Sequence, residues 1–447
     1  MQDTKELFDR KKLINLMLPI LGEQFLAISL GLFDSLMVST CGEAAVSGVS
    51  LVDSIAILVI QVLSALATGG AVVCSQYIGQ GNEKNAKKAS GQLMSVMMVS
   101  SVGLMIIVLC SYRTLLRLIF GSIDADVMEN AVTYFWISAL SFPALGLYNA
   151  GASLFRSQGN SRVSLLSSLV MNVINIPGNA LLIFVFKMGV AGAAWATLFS
   201  RVVAAVAVFI MLQKKGGTLA LTRESLFHID TKMIRRILAI GIPSGIESGM
   251  FQIGKLLLSS MISGFGTVAI TANAVAGNVA SIFNIPGIAV GQAMLVVIGQ
   301  AIGYGDEKQT LRYGKMLRRL GFISMIVSEI LHLLLLHPIL GLYNLSDATY
   351  NETVKLLISC AILSAVFWSD SFALPSVLRA AGKAKFTMTV STVSMWVFRI
   401  GSAILLAKTF KLGVFGVWIG MYIDWVFRAA VFYAAYKKGD WSKNKNI

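Results

Sequence analysis

The sequence predicts an all-α polytopic membrane protein in which twelve transmembrane helices form two parallel six-helix repeats around a central cleft. Composition, a series of apolar segments and an internal repeat support this prediction. Of the 447 residues, 56% are hydrophobic and only 13% are charged, whereas an average soluble chain has about 25% charged residues. This composition excludes a water-soluble fold.

Twelve apolar segments follow one another along the chain, separated by short polar breaks. Each has about the 20 residues that a helix needs to cross a bilayer. The segments run approximately over residues 13–38, 46–74, 91–112, 130–153, 161–186, 189–212, 236–263, 269–298, 317–341, 354–378, 386–407 and 413–436.

The net charge of +15 is explained by where the basic residues lie relative to these spans. If the N-terminus is cytoplasmic, the segments on the inside hold about 28 Lys and Arg. This distribution supports that orientation, because basic residues concentrate on the cytoplasmic side of membrane proteins. The outside loops hold Arg113, Arg117, Lys187, Lys408 and Lys411. We therefore expect a multi-pass protein of the cell membrane with both termini cytoplasmic, and no nucleic acid as partner.

The second half of the chain repeats the first at one constant displacement, which we call the repeat offset. It carries Pro19 onto Pro243 and Glu23 onto Glu247, and the heptapeptide FKMGVAG, from Phe186, onto FKLGVFG. Six spans per repeat is an even number, so both repeats enter the membrane in the same direction, which makes them parallel rather than inverted repeats. The polar linker at 213–232 separates them, and we expect an N-terminal lobe of residues 1–217 and a C-terminal lobe of residues 218–447.

Ionisable residues inside the spans are functional candidates, because a charge at the centre of a spanning helix costs about 2.5 to 3.5 kcal/mol. Glu23 and Asp34 lie eleven positions apart in the first span, which places them on one helical face to within about 20°. Pro19, one turn before Glu23, is expected to loosen the helix and free a carbonyl. The alternative is that either carboxylate only locks a structural Arg or Lys.

The fifth span carries a stripe of amides, Asn172, Asn175 and Asn179, on one helical face. We expect Pro177 and Gly178 to interrupt the hydrogen-bond ladder beside it. Amide and backbone oxygens would then complete a cation site around Asp34. The alternative is interhelical hydrogen bonding by Asn, which is ordinary in membranes.

The repeat favours the first interpretation. The repeat offset carries Asp34 onto Leu258, Asn175 onto Arg399 and Asn179 onto Ala403. If these residues served only the fold, both repeats would need something similar. The asymmetry predicts a specialised ion site in the N-terminal lobe.

Four charged residues of the second repeat are weaker candidates for substrate binding or a second site, together with Glu23. They are Glu247, Lys255, Asp370 and Arg399. Their charges are equal in number and opposite in sign, so we expect mutual neutralisation. Asp370 could alternatively bind a cationic substrate or a proton. Lys355, Arg201 and Asp424 lie near span ends and are expected to snorkel to the interface.

Nothing in the sequence supports an enzyme. The three histidines show no metal-ligand spacing, and no Ser-His-Asp set can be assembled within the spans. The Gly-rich stretches GQGNEK and GYGDEK follow spanning helices and lack the GK[ST] ending of a phosphate-binding loop. We expect no cofactor, and no metal beyond a possible Na⁺ at Asp34.

The chain resembles the multidrug and toxic compound extrusion (MATE) family of cation-coupled exporters over nearly its whole length. The stretches that carry the likeness are LPILGEQFLAISLGLFDSLMVS, SQYIGQGNEKNAKKA, LFRSQGNSRVSLLSSLVMNVINIPGNALLIF, MGVAGAAWATLFS, GIPSGIESGMFQIGK and LRAAGKAKFTM. The resemblance implies twelve helices in two lobes and alternating access. It also implies export of organic cations against inward Na⁺ or H⁺.

The resemblance also assigns residues. Asp34 matches the family's first-helix aspartate, Asn175 and Asn179 match paired fifth-helix positions, and Thr197 resembles a sixth-helix oxygen ligand. Some members have Asp at the position of Asn179, so this chain lacks one carboxylate and its coupling ion stays open. Glu247 and Asp370 match carboxylates in the C-terminal lobe of some relatives only approximately.

The sequence thus predicts a secondary active exporter of organic, mostly cationic compounds, working by antiport with Na⁺ or H⁺. Its partners would be small organic substrates and the lipid bilayer, and it would function as a monomer. The alternative is a flippase or exporter of a lipid-linked or anionic precursor on the same scaffold, for which Lys255 and Arg399 would supply positive charge.

Overall fold

The computed structural model describes residues 6–121, 123–214 and 217–443, and across these ranges the chain forms helices and connecting turns without a strand. The contacts divide it into two compact units. The N-terminal unit is Arg10–Gly245, and the C-terminal unit is Ile246 onward together with the segment that ends at Asp9. The division falls inside one helix, and the predicted lobe boundary between residues 217 and 218 stays a prediction.

The helices that begin in the N-terminal unit are α1 Arg10–Ser39, α2 Glu43–Gly79, α3 Glu83–Phe120, α4 Ala125–Leu140, α5 Phe142–Ser157, α6 Ser161–Ala180, α7 Gly189–Leu212, α8 Arg223–Phe227 and α9 Thr231–Ser263. The C-terminal unit continues with α10 Thr267–Phe283, α11 Ile285–Tyr304, α12 Glu307–Leu340, α13 Asp347–Leu363, α14 Pro375–Ala380, α15 Ala384–Val393, α16 Ser402–Ile404 and α17 Gly413–Lys437. Wider π-helical turns lie at Leu181–Val185, Ser364–Ala373, Ser394–Gly401 and Leu405–Thr409.

The predicted membrane-spanning architecture is confirmed. Within the described residues, ten helices, counted with their π-helical continuations, are long and apolar enough to cross a bilayer. The pair α4 and α5, bent by 48°, makes an eleventh if the two helices are counted as one span. The 33-residue α9 is also long enough to span, but Glu247 and Lys255 make it more polar. Every predicted span coincides with one of these helices or with an adjacent pair.

Proline positions explain two divided spans. Pro143 opens α5 and Pro286 opens α11, where a missing N–H is tolerated because the first turn has no partner for it. Pro19 and Pro177, in contrast, lie inside the continuous helices α1 and α6. Pro177 supplies no N–H to the hydrogen-bond ladder, but the helix does not break there and widens only at Leu181–Val185.

The internal repeat is visible in the backbone itself. The π turn Leu181–Val185 recurs at Leu405–Thr409, the range onto which the repeat offset carries it. The turn that follows each of them contains a lysine with positive φ, 51° at Lys187 and 55° at Lys411. A lysine rarely adopts this left-handed conformation, so its recurrence shows that both repeats fold to the same local geometry.

The linker between the repeats is held against α3. Gln92, almost fully buried, donates through Nε2 to the carbonyls of Ser225 (3.0 Å) and His228 (2.8 Å). Its Oε1 accepts from the amide of Asp230 at 3.0 Å, and Lys88 forms an ion pair with the Asp230 carboxylate at 2.6 Å. The hydrogen bond from Lys88, with help from the amides of Met233 and Lys232, lowers the pKa of Asp230 to about 2. This linker enters α9 as a fixed segment of the N-terminal unit.

Candidate functional site

The four predicted cation-coupling residues form one chain of hydrogen bonds in the N-terminal unit. Asn179 Nδ2 donates to Asp34 Oδ1 at 2.5 Å and to Asn175 Oδ1 at 3.1 Å. Asn175 Nδ2 in turn donates to Thr197 Oγ1 at 3.0 Å. The chain therefore joins α1, α6 and α7 through side chains alone.

Helical spacing explains why two of the three stripe amides take part. Asn175 and Asn179 are four positions apart on α6, where side chains stack on one face, and both are fully buried. Asn172 is also buried, but its Nδ2 donates back to the Ser168 carbonyl one turn earlier at 2.9 Å. Asn172 serves its own helix, whereas Asn175 and Asn179 link helices.

This series of hydrogen bonds leaves one oxygen without a partner. Asn179 Oδ1 is buried and accepts no hydrogen bond from any residue that the structure describes. A buried acceptor left unsatisfied costs about 1 to 3 kcal/mol. This oxygen belongs to the same amide group that donates to the Asp34 carboxylate, and small hard cations bind through carboxylate, amide and hydroxyl oxygens. The donor set thus fits a monovalent hard cation.

Three further polar residues surround Asp34. Tyr134 on α4 interacts electrostatically with Asp53 on α2 and with Asp34. Arg201 on α7 donates from Nη1 to Ser141 Oγ at 2.7 Å and interacts electrostatically with both Asp34 and Asp53. We call Asp34, Asp53 and Arg201 the charge cluster. With both carboxylates ionised it carries one net negative charge.

Sequence reasoning missed this larger cluster. Arg201 was expected to snorkel to the interface, and that expectation is wrong because its guanidinium binds Ser141 inside the unit. Asp53 was visible as an ionisable residue within the second span, but nothing in the sequence shows that α2, α4 and α7 bring it near Asp34. Only the pairing of one intramembrane Arg with two intramembrane Asp residues in the same repeat offered a hint.

Glu23 does not join the charge cluster. Its carboxylate accepts from Arg156 Nη1, at 2.8 Å to Oε1 and 3.0 Å to Oε2. In the C-terminal unit Glu247 accepts from Arg379 Nη2 at 2.8 Å and from Ser391 Oγ at 2.6 Å. The same Glu–Arg pair thus occurs in each repeat, which fits a shared structural role. Contact of either glutamate with a substrate stays a prediction.

The remaining charges of the C-terminal unit do not neutralise one another as expected. Asp370 is bound by Arg318 through two hydrogen bonds of 2.8 and 2.6 Å. Arg399 Nη1 lies 3.7 Å from the carboxylate of Asp424. Arg318 and Asp424 were not among the four residues that we expected to neutralise one another. They are brought to Asp370 and Arg399 by the packing of different helices.

Asp424 and Lys255 complete this picture. Asp424 is fully buried and also accepts from Ser394 Oγ, so the expectation that it snorkels is wrong. Lys255 is exposed and interacts electrostatically with Arg399, a like charge. Among the described residues, no cluster of three or more His, Cys, Asp or Glu side chains could hold a metal ion.

The family model described as MatE matches the chain twice, over residues 19–181 and again over 243–405. The repeat offset carries the first match onto the second, and the two together cover well over half of the chain.

Full-length relatives agree with this match. The chain is 26% identical to the "Probable multidrug resistance protein NorM" of Thermotoga maritima, over 97% of this chain and 93% of that protein. It is likewise 26% identical to the "Uncharacterized transporter YisQ" of Bacillus subtilis, over 96% and 94%. With the "Multidrug and toxin extrusion protein 2" of Oryctolagus cuniculus it shares 27% identity over 70% of this chain and 52% of that protein.

Solved structures share the fold. One described as an outward-facing conformation of a multidrug resistance MATE family transporter superposes with a TM-score of 0.90 at 20% identity, over 97% and 96% of the two chains. A transporter from Pyrococcus furiosus, whose description speaks of reverse polarity of the binding pocket and a different function, also reaches 0.90 at 19% identity, with the same coverage.

Proposed function

The chain belongs to the MatE family of multidrug efflux transporters, and from that premise we propose that it exports organic, mostly cationic compounds by antiport with Na⁺ or H⁺. A transporter of this kind is no enzyme, and we propose that it works without a cofactor. The coupling ion is a substrate of the transport cycle.

One observation carries the proposal for the coupling site. The Asp34 carboxylate accepts from the amide of Asn179, whose Oδ1 has no partner in the described part of the chain. Asp34 also belongs to a charge cluster that carries one net negative charge when both carboxylates are ionised. One monovalent cation neutralises that cluster. A buried negative charge without a counter-ion is unfavourable in a membrane, so a bound cation stabilises the unit.

Each residue then has a defined task. Asp34 supplies the charge that attracts the ion, and Asn179 holds that carboxylate while offering its own carbonyl oxygen. Thr197 fixes the orientation of Asn175. Arg201 balances one of the two carboxylates, so a single ion suffices.

Coupling requires differential affinity: the ion and the organic cation must favour different conformations of the transporter. An organic cation competes with the ion for the negative charge of Asp34, and release of the ion makes that charge available. We propose that during alternating access Asp34 alternates between a state with the ion bound and a state with the ion released.

Transport in proteoliposomes tests this proposal. The protein would be reconstituted with a panel of fluorescent cationic dyes under separate Na⁺ and pH gradients. We expect Asp34→Asn and Asn175→Ala to lose gradient-driven efflux. Asn172→Ala should retain it, because Asn172 belongs to the stripe but not to the hydrogen bonds that join Asp34 to Thr197. Full ion-dependent efflux by Asp34→Asn would refute the site.

A second candidate function is supported by Lys255. This lysine is exposed beside Arg399, and the structure gives it no acidic partner among the described residues. Positive charge of this kind suits an anionic or lipid-linked precursor. If the protein is such a flippase or exporter, an anionic lipid will bind and Lys255→Gln will weaken that binding, while dyes fail to be driven by either gradient.

We also propose that the protein works as a monomer in the cell membrane with both termini in the cytoplasm. The proposed orientation is supported by the excess of Lys and Arg in the segments assigned to the inside.

A further inference from the structure

We propose that Glu329 and His332 on α12 form a proton-binding site in the C-terminal unit, separate from the Asp34 site. His332 Nδ1 lies 2.8 Å from Glu329 Oε2. His332 is fully buried and Glu329 nearly so. The two residues are one turn apart, close to the middle of the predicted span 317–341.

The second nitrogen of the ring distinguishes this pair from a structural ion pair. His332 Nε2 is buried and has no hydrogen-bond partner among the residues that the structure describes. Buried ion pairs that serve stability alone need their remaining donors and acceptors satisfied. Here one ring nitrogen contacts a carboxylate, while the other is buried without a partner among the described residues.

This arrangement has two charge states. When Nδ1–H donates to the Glu329 carboxylate and Nε2 is bare, the pair carries one negative charge. A proton that binds at the pair turns the ring into an imidazolium, or the carboxylate into an acid, and brings the net charge to zero. Since a charge at mid-membrane is costly, the pair is built to take up one proton.

The surroundings favour the charged ring without supplying a competing charge. The imidazole is stacked on Phe283, with ring centres 4.4 Å apart and planes within 5°, and an aromatic face stabilises a cation. The packed helices α10 and α11 contain no Asp, Glu, Lys, Arg or His.

Other titratable groups near α12 are already engaged. Cys360 on α13 interacts electrostatically with Glu329 and, in turn, with Arg399, which is paired with Asp424. Earlier on α13, Lys355 forms an ion pair with Glu352. Asp370, in the π turn after α13, is bound by Arg318. His332 is therefore the titratable group that pairs with Glu329.

The repeat shows that the fold does not require this pair. By the repeat offset, Glu329 corresponds to Met105 and His332 to Val108 in the N-terminal repeat. A span of the same kind is thus built with two apolar side chains in these places.

The site also lies next to the point where α10 ends and α11 begins. Phe283 ends α10, and its carbonyl accepts from Ser328 Oγ at 2.7 Å. Asn284 separates α10 from α11 and accepts from Ser364 Oγ at 3.2 Å. His332 therefore packs against the last residue before this division.

Nitrogen-15 NMR of ring-labelled histidine in nanodiscs tests the proposal, because the chain has only three histidines. His332→Gln assigns the signal of interest, and His337→Gln, at an exposed position on the same helix, is the matched control. The spectra are recorded from about pH 5 to pH 8, a range in which imidazolium and neutral imidazole signals are both accessible, and we expect the His332 ring to bind and release a proton reversibly. In Glu329→Gln the imidazolium signal is lost.

A His332 ring that keeps one charge state over this range would overturn the proposal, as would a titration that Glu329→Gln leaves unchanged. If that variant does not fold, the double variant Glu329→Met with His332→Val reproduces the N-terminal repeat. Its difference in thermal unfolding from the natural protein must then change with pH, whereas a pair that takes up no proton over this range gives a constant difference. Neither measurement depends on which ion binds at Asp34.

Discussion

Asn179 is the residue on which the candidate coupling site depends. Its amide group satisfies Asp34 and Asn175 at once, and its carbonyl oxygen stays available. An aspartate in this place would set a second carboxylate against Asp34, and two carboxylates that share a site resist ionising together. With Asn here, the neighbouring charge is balanced by Arg201 instead.

Thr197 supports this arrangement indirectly, which gives a first prediction. Thr197→Val removes the hydroxyl that accepts from Asn175 Nδ2 and leaves that buried donor unpaired, so we expect a loss of about 1 to 3 kcal/mol. Thr197→Ser keeps the oxygen and should lose less. Thermal unfolding in detergent, with and without Na⁺, measures both variants, and equal losses would contradict the role of the hydroxyl.

Asp230 gives a prediction for acid. Its pKa is lowered to about 2, below the ordinary value of about 3.9 for Asp. The sign follows directly: a group with a depressed folded-state pKa stabilises the fold above its unfolded pKa, and that stabilisation is lost as the pH falls through the folded value. We expect the linker to stay protected from pepsin near pH 4 and to be cleaved progressively toward pH 2.

The variant Asp230→Asn is the control for this prediction. It lacks the carboxylate that pairs with Lys88, so its linker should be cleaved more readily than that of the natural protein at pH 4. Toward pH 2 the difference between the two proteins should shrink, because about half of the natural carboxylate is protonated at a pH equal to its folded-state pKa. A difference that persists unchanged at pH 2 would contradict the assignment.

At this scale the sequence predicted the residues of the candidate chain but not all of their neighbours. Asp34, Asn175 and Asn179 were predictable because helical spacing and the repeat each singled them out. Asp53, Tyr134 and Arg201 were not, since their proximity depends on how α2, α4 and α7 pack. Arg201 and Asp424 were misread because position along a span does not show which way a side chain points.

At the scale of elements, the wider turns Leu181–Val185 and Leu405–Thr409 recur at places where a glycine of the next helix lies against the backbone. A Cβ added at Gly192 would lie 3.0 Å from the Leu182 carbonyl carbon, and one at Gly416 would lie 2.8 Å from the Ala407 nitrogen. The repeat offset carries the first glycine onto the second. Each repeat therefore packs its sixth helix against the end of its fifth by omitting a side chain.

This close approach predicts the effect of adding a methyl group. Gly416→Ala must displace backbone rather than a flexible side chain, so we expect a loss of about 1 to 3 kcal/mol, the usual cost of overpacking. The control is Gly277→Ala on α10, where nothing lies within 4 Å of the added Cβ. There the higher helix propensity of Ala should be neutral or stabilise by up to about 1 kcal/mol. Thermal unfolding compares them, and equal losses would exclude steric contact as the cause.

At the scale of the whole molecule, the membrane-spanning fold and the repeat were predictable because both rest on one-dimensional signals. Runs of apolar residues long enough to cross a bilayer appear directly in the sequence, and the repeat offset is held by residues such as Pro19 and Glu23. Where the helices bend was less predictable. Pro19 and Pro177 leave their helices continuous, whereas Pro143 and Pro286 begin new ones.

The orientation of the chain in the membrane is the last prediction, and it rests on Lys and Arg alone. In a background without the four natural cysteines, Leu342→Cys places a thiol in the exposed turn after α12, assigned to the outside, and Lys84→Cys places one at the start of α3, assigned to the inside. A membrane-impermeant maleimide should label Leu342→Cys in intact cells and Lys84→Cys only after permeabilisation. The reverse pattern would place the termini outside and would also reverse the direction in which an ion gradient drives substrate. Labelling and dye transport, measured on the same cells, therefore test orientation and export together.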